Sequence, residues 1–308
     1  MSELTLLTTL ELENKLGEGV IWDPVGGIFW WTDIEGHRLY RYQLANQDLQ
    51  SWTTPERLAS FALVEPGSAS GSAEQRLIAG FESGFAYYEP ESGLLEWLIN
   101  TDTDNPHARL NDGRADRQQR FWAGGMVEPL GSAGDAGKLY CLDRDLQCTE
   151  KLNGIAISNS LCWSPNSRIL YHTDTPTQRI DQYDFNPITA ALSNRREFVA
   201  TEAGCYPDGS TVDSQGYVWN AQWGGSQIVR YSADGTTDLV LPLPVSQPTC
   251  VAFGGANLDI LFITSARQGL SDQAVKEQPL AGSCFIYQTP FRGITDPTFR
   301  PRSKSAVL

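Results

Sequence analysis

Phe29-Trp30-Trp31-Thr32 is a short apolar strand core, and similar cores recur five more times along the chain. They are Leu77-Ile78-Ala79-Gly80, Phe121-Trp122-Ala123-Gly124, Leu170-Tyr171-His172-Thr173, Val218-Trp219-Asn220-Ala221 and Leu261-Phe262-Ile263-Thr264. Their starts lie 48, 44, 49, 48 and 43 residues apart. Most are followed by a further strand across a polar turn, as at Arg38–Tyr42, Gly84–Tyr88, Lys138–Leu142 and Gln227–Tyr231. Turn-forming clusters such as Asp23-Pro24-Val25-Gly26-Gly27, Ser164-Pro165-Asn166 and Asp213-Ser214-Gln215-Gly216 separate the strands. A unit of about four strands repeated six times points to a β-propeller. A pair of β-sandwiches would not predict six similar units. The repeats leave no room for another domain, so residues 1–308 read as a single all-β, six-bladed β-propeller domain with about four antiparallel strands per blade. The first strand of each blade is expected to line the central channel. Residues Leu4–Leu10 are expected to close the ring against the last blade.

Composition agrees with many short strands joined by turns. Apolar residues make up 41% of the chain and charged residues only 19%, with 28 Gly, 17 Pro and nine Trp. The net charge of −14 excludes nucleic acid and anionic membrane as natural partners, since both reward clustered Lys and Arg. Its simplest consequence is solubility. Six scattered cysteines with no C-x-x-C read as small buried apolar residues rather than a disulfide framework or a zinc site. No basic-then-apolar leader and no membrane-length apolar run is present in the sequence, so the expected location is cytoplasmic.

The repeat also aligns polar residues. Glu18 lies 11 residues before Phe29, Asn111 10 before Phe121, Asn159 11 before Leu170 and Asp208 10 before Val218. Four residues after each comes Trp22, Ala115, Trp163 or Val212, and then Asp23, Asp116, Ser164 or Asp213 opens the turn. Equivalent positions in a ring of blades converge on the axis, so these four should meet at the channel mouth. Two carboxylates and amide oxygens form a hard-oxygen set suited to Ca²⁺, Mg²⁺ or Mn²⁺. Any one of the four alone reads as an ordinary turn residue. Turn chemistry does not require matching register across blades, however, and Glu is not a preferred turn former.

The same residues carry a resemblance. Leu16-Gly17-Glu18-Gly19 with Trp22, Arg109-Leu110-Asn111-Asp112-Gly113 with Phe121–Met126, Ile157-Ser158-Asn159 with Trp163-Ser164, Ser193-Asn194-Arg195-Arg196, Pro207-Asp208-Gly209 with Asp213 and Gly216, and Phe253-Gly254-Gly255 occur in order. The chain resembles the gluconolactonase/regucalcin (senescence marker protein) family over nearly its whole length. The resemblance implies a propeller holding one catalytic divalent cation, taken as calcium, with zinc, manganese or magnesium as alternatives. It implies Glu18, Asn159 and Asp208 as ligands, and Arg109 and Asn111 as substrate contacts. Glu128 is the nearest match to a further acidic substrate contact of the family, in a register open by one residue. It implies opening of a sugar lactone to the aldonic acid. On that reading the lactone carbonyl is polarised by the cation, and Asp208 is the candidate general base for the attacking water. Two alternatives stay open: a metal-dependent esterase or phosphotriesterase, and a non-catalytic calcium-binding propeller.

Other chemistries find no support in the sequence. There is no G-x-S-x-G and no G-x-x-x-x-G-K-[ST]. His37, His107 and His172 form no ligand pattern; His107 reads as a solvated loop residue near the mouth and His172 as packed and hydrogen-bonded. Trp22, Trp30, Trp122, Trp163 and Trp219 are expected between blades. Trp223 is expected either at the pocket edge or packed on the surface. The polar segment Gln268–Pro279 is expected as a loop at the mouth that shapes substrate choice, and Ser68–Glu74 as a turn without chemistry.

Overall fold

The computed structural model describes residues 4–65, 75–130 and 137–302, and their strands pair into six four-stranded antiparallel sheets. The Ser68–Glu74 turn lies outside the described residues. The innermost strands are Gly17–Asp23, Leu58–Leu63, Ala108–Ala115, Ser158–Trp163, Tyr206–Val212 and Pro248–Gly254, one from each of blades 1 to 6. Each contacts the next around the axis, and the last contacts the first. The protein is therefore an all-β six-bladed propeller with four antiparallel strands per blade. The six recurring sequence cores are the second strands, one place out from the axis. Ring closure follows the expectation: Thr5–Leu10 pairs antiparallel with Cys284–Gln288 as the outermost strand of blade 6, Thr5 facing Gln288 and Leu10 facing Cys284.

Burial explains the sequence pattern. Inner strands such as Gly17–Asp23 and Ile28–Asp33 are buried along their whole length, so apolar residues follow one another without alternation, as in Val20-Ile21-Trp22 and Ile28-Phe29-Trp30-Trp31. Outer strands such as Asp48–Thr53 are largely exposed. The core divides into six clusters, one at each blade interface. The repeated aromatics fill these seams. Trp122 meets Trp163 across blades 3 and 4 at 5.9 Å between centroids, Trp219 meets Phe253 across blades 5 and 6 at 5.4 Å, and Trp30 packs with Phe61 of blade 2. The six cysteines are all free thiols, and Cys141, Cys162, Cys250 and Cys284 are buried.

The two ends of the channel differ. At the turn end, Asp116 accepts from Trp122 Nε1 at 2.8 Å and Arg120 Nε at 2.6 Å. Asp213 accepts from Trp219 Nε1 at 3.0 Å and Arg230 Nη2 at 2.7 Å. The C-terminal segment crosses this end. Asp296 accepts from Arg114 Nη1 at 2.6 Å, Phe291 packs on Trp219, and Phe299 N–H donates to the Leu63 carbonyl at 2.8 Å. Among the described residues no helix is long and apolar enough to cross a membrane.

Candidate active site at the channel mouth

All six innermost strands break register with their neighbour near the entry end: at Glu18/Ile21, Leu58/Ser60, Leu110/Gly113, Asn159/Cys162, Pro207/Ser210 and Pro248/Val251. Such bulges bend a strand and re-aim its side chains. The four aligned polar residues sit at these irregularities, and all line one cavity of about 510 Å³. The innermost strands of blades 2 and 6 contribute no side chain to that lining. Gly19 adopts φ +61°, a conformation glycine takes without strain, just where blade 1 bulges. Gly17 has a different reason: a Cβ there would lie 2.8 Å from the Ser265 carbonyl oxygen of blade 6. Its smallness serves blade packing, not room for an ion.

A hydrogen-bond chain crosses four blades. Arg57 Nη1 donates to Glu128 Oε2 at 2.9 Å, and Arg109 Nε to Glu128 Oε1 at 2.9 Å. Arg109 Nη1 donates to Asn111 Oδ1 at 3.0 Å, and Asn111 Nδ2 to Asn159 Oδ1 at 3.1 Å. Asn159 Nδ2 donates to Thr175 Oγ1, and that hydroxyl donates to the Pro207 carbonyl, both at 2.9 Å. The amide of Asn159 is thereby held between Asn111 and Thr175. The Asn159 oxygen accepts from Asn111 and the Asn111 oxygen from Arg109, so the two asparagines are not equivalent although their sequence register matches.

The carboxyls are arranged differently from those at the turn end. Glu18, Asp112 and Asp208 are buried, at 8%, 8% and 6% exposure, and no ion pair among the described residues involves them. The Glu18 and Asp208 carboxyls interact side chain to side chain. Burial first, and then the Asp112 charge, raise the pKa of Glu18; burial first, and then Glu18 and Asp112, raise that of Asp208. Glu18 Oε2 accepts from Gly19 N–H at 2.9 Å, which leaves its other oxygen for the cavity. Asp112, unremarked in the sequence beyond its motif, accepts from Leu161 N–H at 2.9 Å and so satisfies a backbone donor freed by the blade 4 bulge.

This donor set suits a hard divalent cation. Two buried carboxyls lack a basic partner, and an oriented amide oxygen stands beside them. Among the described residues no three His, Cys, Asp or Glu side chains converge on one point, so a cation here would draw on amide oxygen and water as well. Thr175 and Tyr206 line the cavity too, and the sequence reading missed both. Thr175 follows a second strand on a 3₁₀ turn with no counterpart in other blades among the described residues. Trp223 does border the cavity, as does Gln268 at the start of the polar blade 6 segment, within which Asp272–Glu277 is helical. His172 is buried against Ser158 Oγ at 2.9 Å, and burial pushes its pKa down to about 3. His107 is exposed, with Nδ1 3.2 Å from the Glu128 carbonyl oxygen.

Comparison with known proteins finds relatives over nearly the whole chain. The profile of the SMP-30/Gluconolactonase/LRE-like region matches residues 16–267. L-arabinolactonase of Azospirillum brasilense is 36% identical over 299 residues, covering 96% of this chain and 95% of that protein. The 6-deoxy-6-sulfogluconolactonase of Pseudomonas putida is 33% identical over 299 residues, covering 96% and 98%. The crystal structure of a calcium-binding protein, regucalcin, from Agrobacterium tumefaciens superposes with a TM-score of 0.88 at 27% identity, covering 96% of this chain and 98% of that one.

Proposed function

Because this chain belongs to the SMP-30/gluconolactonase/LRE-like family, we propose that it is a metal-dependent sugar lactonase that hydrolyses an aldono-lactone to the aldonic acid. The observation that carries this reading is the buried Glu18–Asp208 pair, which has no basic partner and stands at the floor of a sugar-sized cavity beside Arg109, Asn111 and Asn159. Glu18, Asn159 and Asp208 would hold the cation. When bound, it supplies Lewis acidity toward the lactone carbonyl and stabilises charge developing on that oxygen. Asp208 is the general base: it takes a proton from the water that adds to the carbonyl carbon. The ring C–O bond then breaks, and the ring oxygen leaves as a hydroxyl once protonated. Arg109, steered by Glu128, and Asn111 orient the sugar hydroxyls.

A panel of aldono-lactones assayed with a pH indicator, with and without EDTA, tests this reading. EDTA-sensitive acid release is expected. The likeness to a calcium-binding regucalcin favours a second reading, a propeller that only binds calcium. Calcium binding without hydrolysis of any lactone in the panel would support it over the first.

A further inference from the structure

Arg109 is the one cationic side chain lining the cavity among the described residues. It is already engaged by Glu128, the Leu110 carbonyl and Asn111. Arg57 behind it is held by Glu35, Glu82 and Glu128. A phosphate, sulfonate or carboxylate on a substrate is ordinarily met by an uncommitted guanidinium or ammonium. Arg109 is paired with Glu128, no second guanidinium or ammonium lines the cavity among the described residues, and the acids of the lining are Glu18 and Asp208.

Met126 and Ile157, with the rings of Tyr206 and Trp223, give the same cavity an apolar face. With the lactone carbonyl and ring hydroxyls on the floor, the exocyclic end of the sugar meets this face. Against Met126 and Ile157 a hydroxyl gives up water without gaining a partner, and a charge loses far more. A hydrogen or a methyl group loses nothing. On the lactonase reading above, we propose that this site selects uncharged lactones with a hydroxyl-poor exocyclic end, pentono- and 6-deoxyhexono-lactones, and rejects lactones carrying an anionic group at that end. The Azospirillum relative is named for a neutral pentose lactone and the Pseudomonas relative for a sulfonated one. At 36% and 33% identity, overall similarity barely separates them.

The test uses four 1,4-lactones of one ring configuration, assayed with calcium: L-arabinono, 6-deoxy-D-galactono, D-galactono and D-galactono 6-phosphate. The expected kcat/KM for the first two is about tenfold above the third, and at least about a hundredfold above the phosphate. A phosphorylated lactone turned over as well as the pentonolactone overturns the proposal. The neutral and phosphorylated sugars are also compared as lactams, which bind without turnover. Absent hydrolysis with retained preference for the neutral lactam counts against the lactonase reading alone, while tighter binding of the phosphorylated lactam overturns the charge preference. In Leu130→Lys, which places a cation at the 57% exposed rim, the discrimination against phosphate should narrow at least tenfold. An unchanged ratio counts against charge as its cause.

Discussion

Asp208 and Asp213 belong to the same stretch of blade 5, one at the entry of its innermost strand and the other at the turn that follows it. Both are buried, at 6% and 0% exposure. Asp213 is surrounded by donors: Arg230 through two nitrogens, Trp219 Nε1, and the N–H groups of Gln215 and Tyr217. Arg230 is in turn packed between the rings of Tyr217 and Phe291, 3.6 and 4.0 Å from their centroids. Asp208 has no basic partner, and its carboxyl meets that of Glu18. Blade 3 shows the same contrast, Asp116 saturated at the turn and Asn111 directed into the cavity network. One end of each strand uses a buried acid to tie the blade together. The other end holds acids whose interactions are incomplete within the protein, as suits a site that completes them with a ligand.

Exchange of carboxylate for amide at the two positions should separate these roles most clearly. Asp213→Asn removes the main counter-charge of a buried arginine. It should destabilise the fold by roughly 3 kcal/mol, the lower part of the range for a broken buried pair, since Asp238 also contacts Arg230. Urea denaturation reads this loss, and kcat/KM per folded molecule should hold within about threefold. Asp208→Asn should do the reverse: kcat/KM falls by about 10³ or more, while the metal-free protein is as stable as the parent or more so. Full activity with normal metal binding in Asp208→Asn would remove it as the base.

Metal addition sharpens the same contrast. Calcium at about a hundred times its dissociation constant should stabilise the protein by ~2.7 kcal/mol, read as a rise in Tm that EDTA reverses. In Glu18→Gln the dissociation constant by calorimetry should weaken on the order of 100-fold, since one charged ligand is lost. An unchanged affinity would take Glu18 out of the ligand set. At the far end, Asp296→Asn loosens the C-terminal segment from Arg114 and should destabilise by about 2 kcal/mol, with calcium affinity unchanged.

Both the blades and the aligned polar residues were legible in the sequence for one reason: the repeat. Phe29, Phe121, Leu170 and Val218 start equivalent strands, so counting back from them finds Glu18, Asn111, Asn159 and Asp208. What the repeat does not carry stayed hidden. The differing orientations of Asn111 and Asn159 depend on Arg109, which has no counterpart beside Asn159. Asp296 meets Arg114 from 182 residues away, in a segment outside any blade. Gly17 and Gly19 flank one glutamate, yet a neighbouring blade requires the first and a backbone angle the second.

Thr175 offers the finest test, because it lines the cavity and orients a proposed ligand without being one itself. Its hydroxyl accepts from Asn159 Nδ2 and donates to the Pro207 carbonyl, linking the side chain of one proposed ligand to the backbone just before another, Asp208. Thr175→Val keeps the shape and removes both bonds. Asn159 is then free to turn its amide, and a cation loses a pre-oriented oxygen. Loss of such an orienting partner typically weakens metal affinity about 10- to 100-fold; the lower figure is expected here, since Asn111 still donates to Asn159 Oδ1. Saturating calcium should restore kcat to near the parent value in Thr175→Val, whereas Asp208→Asn should stay inactive at any calcium concentration. Thr175→Ser, which retains the hydroxyl, should bind calcium like the parent. If the serine variant binds as weakly as the valine variant, packing rather than the hydrogen bond is what Thr175 contributes.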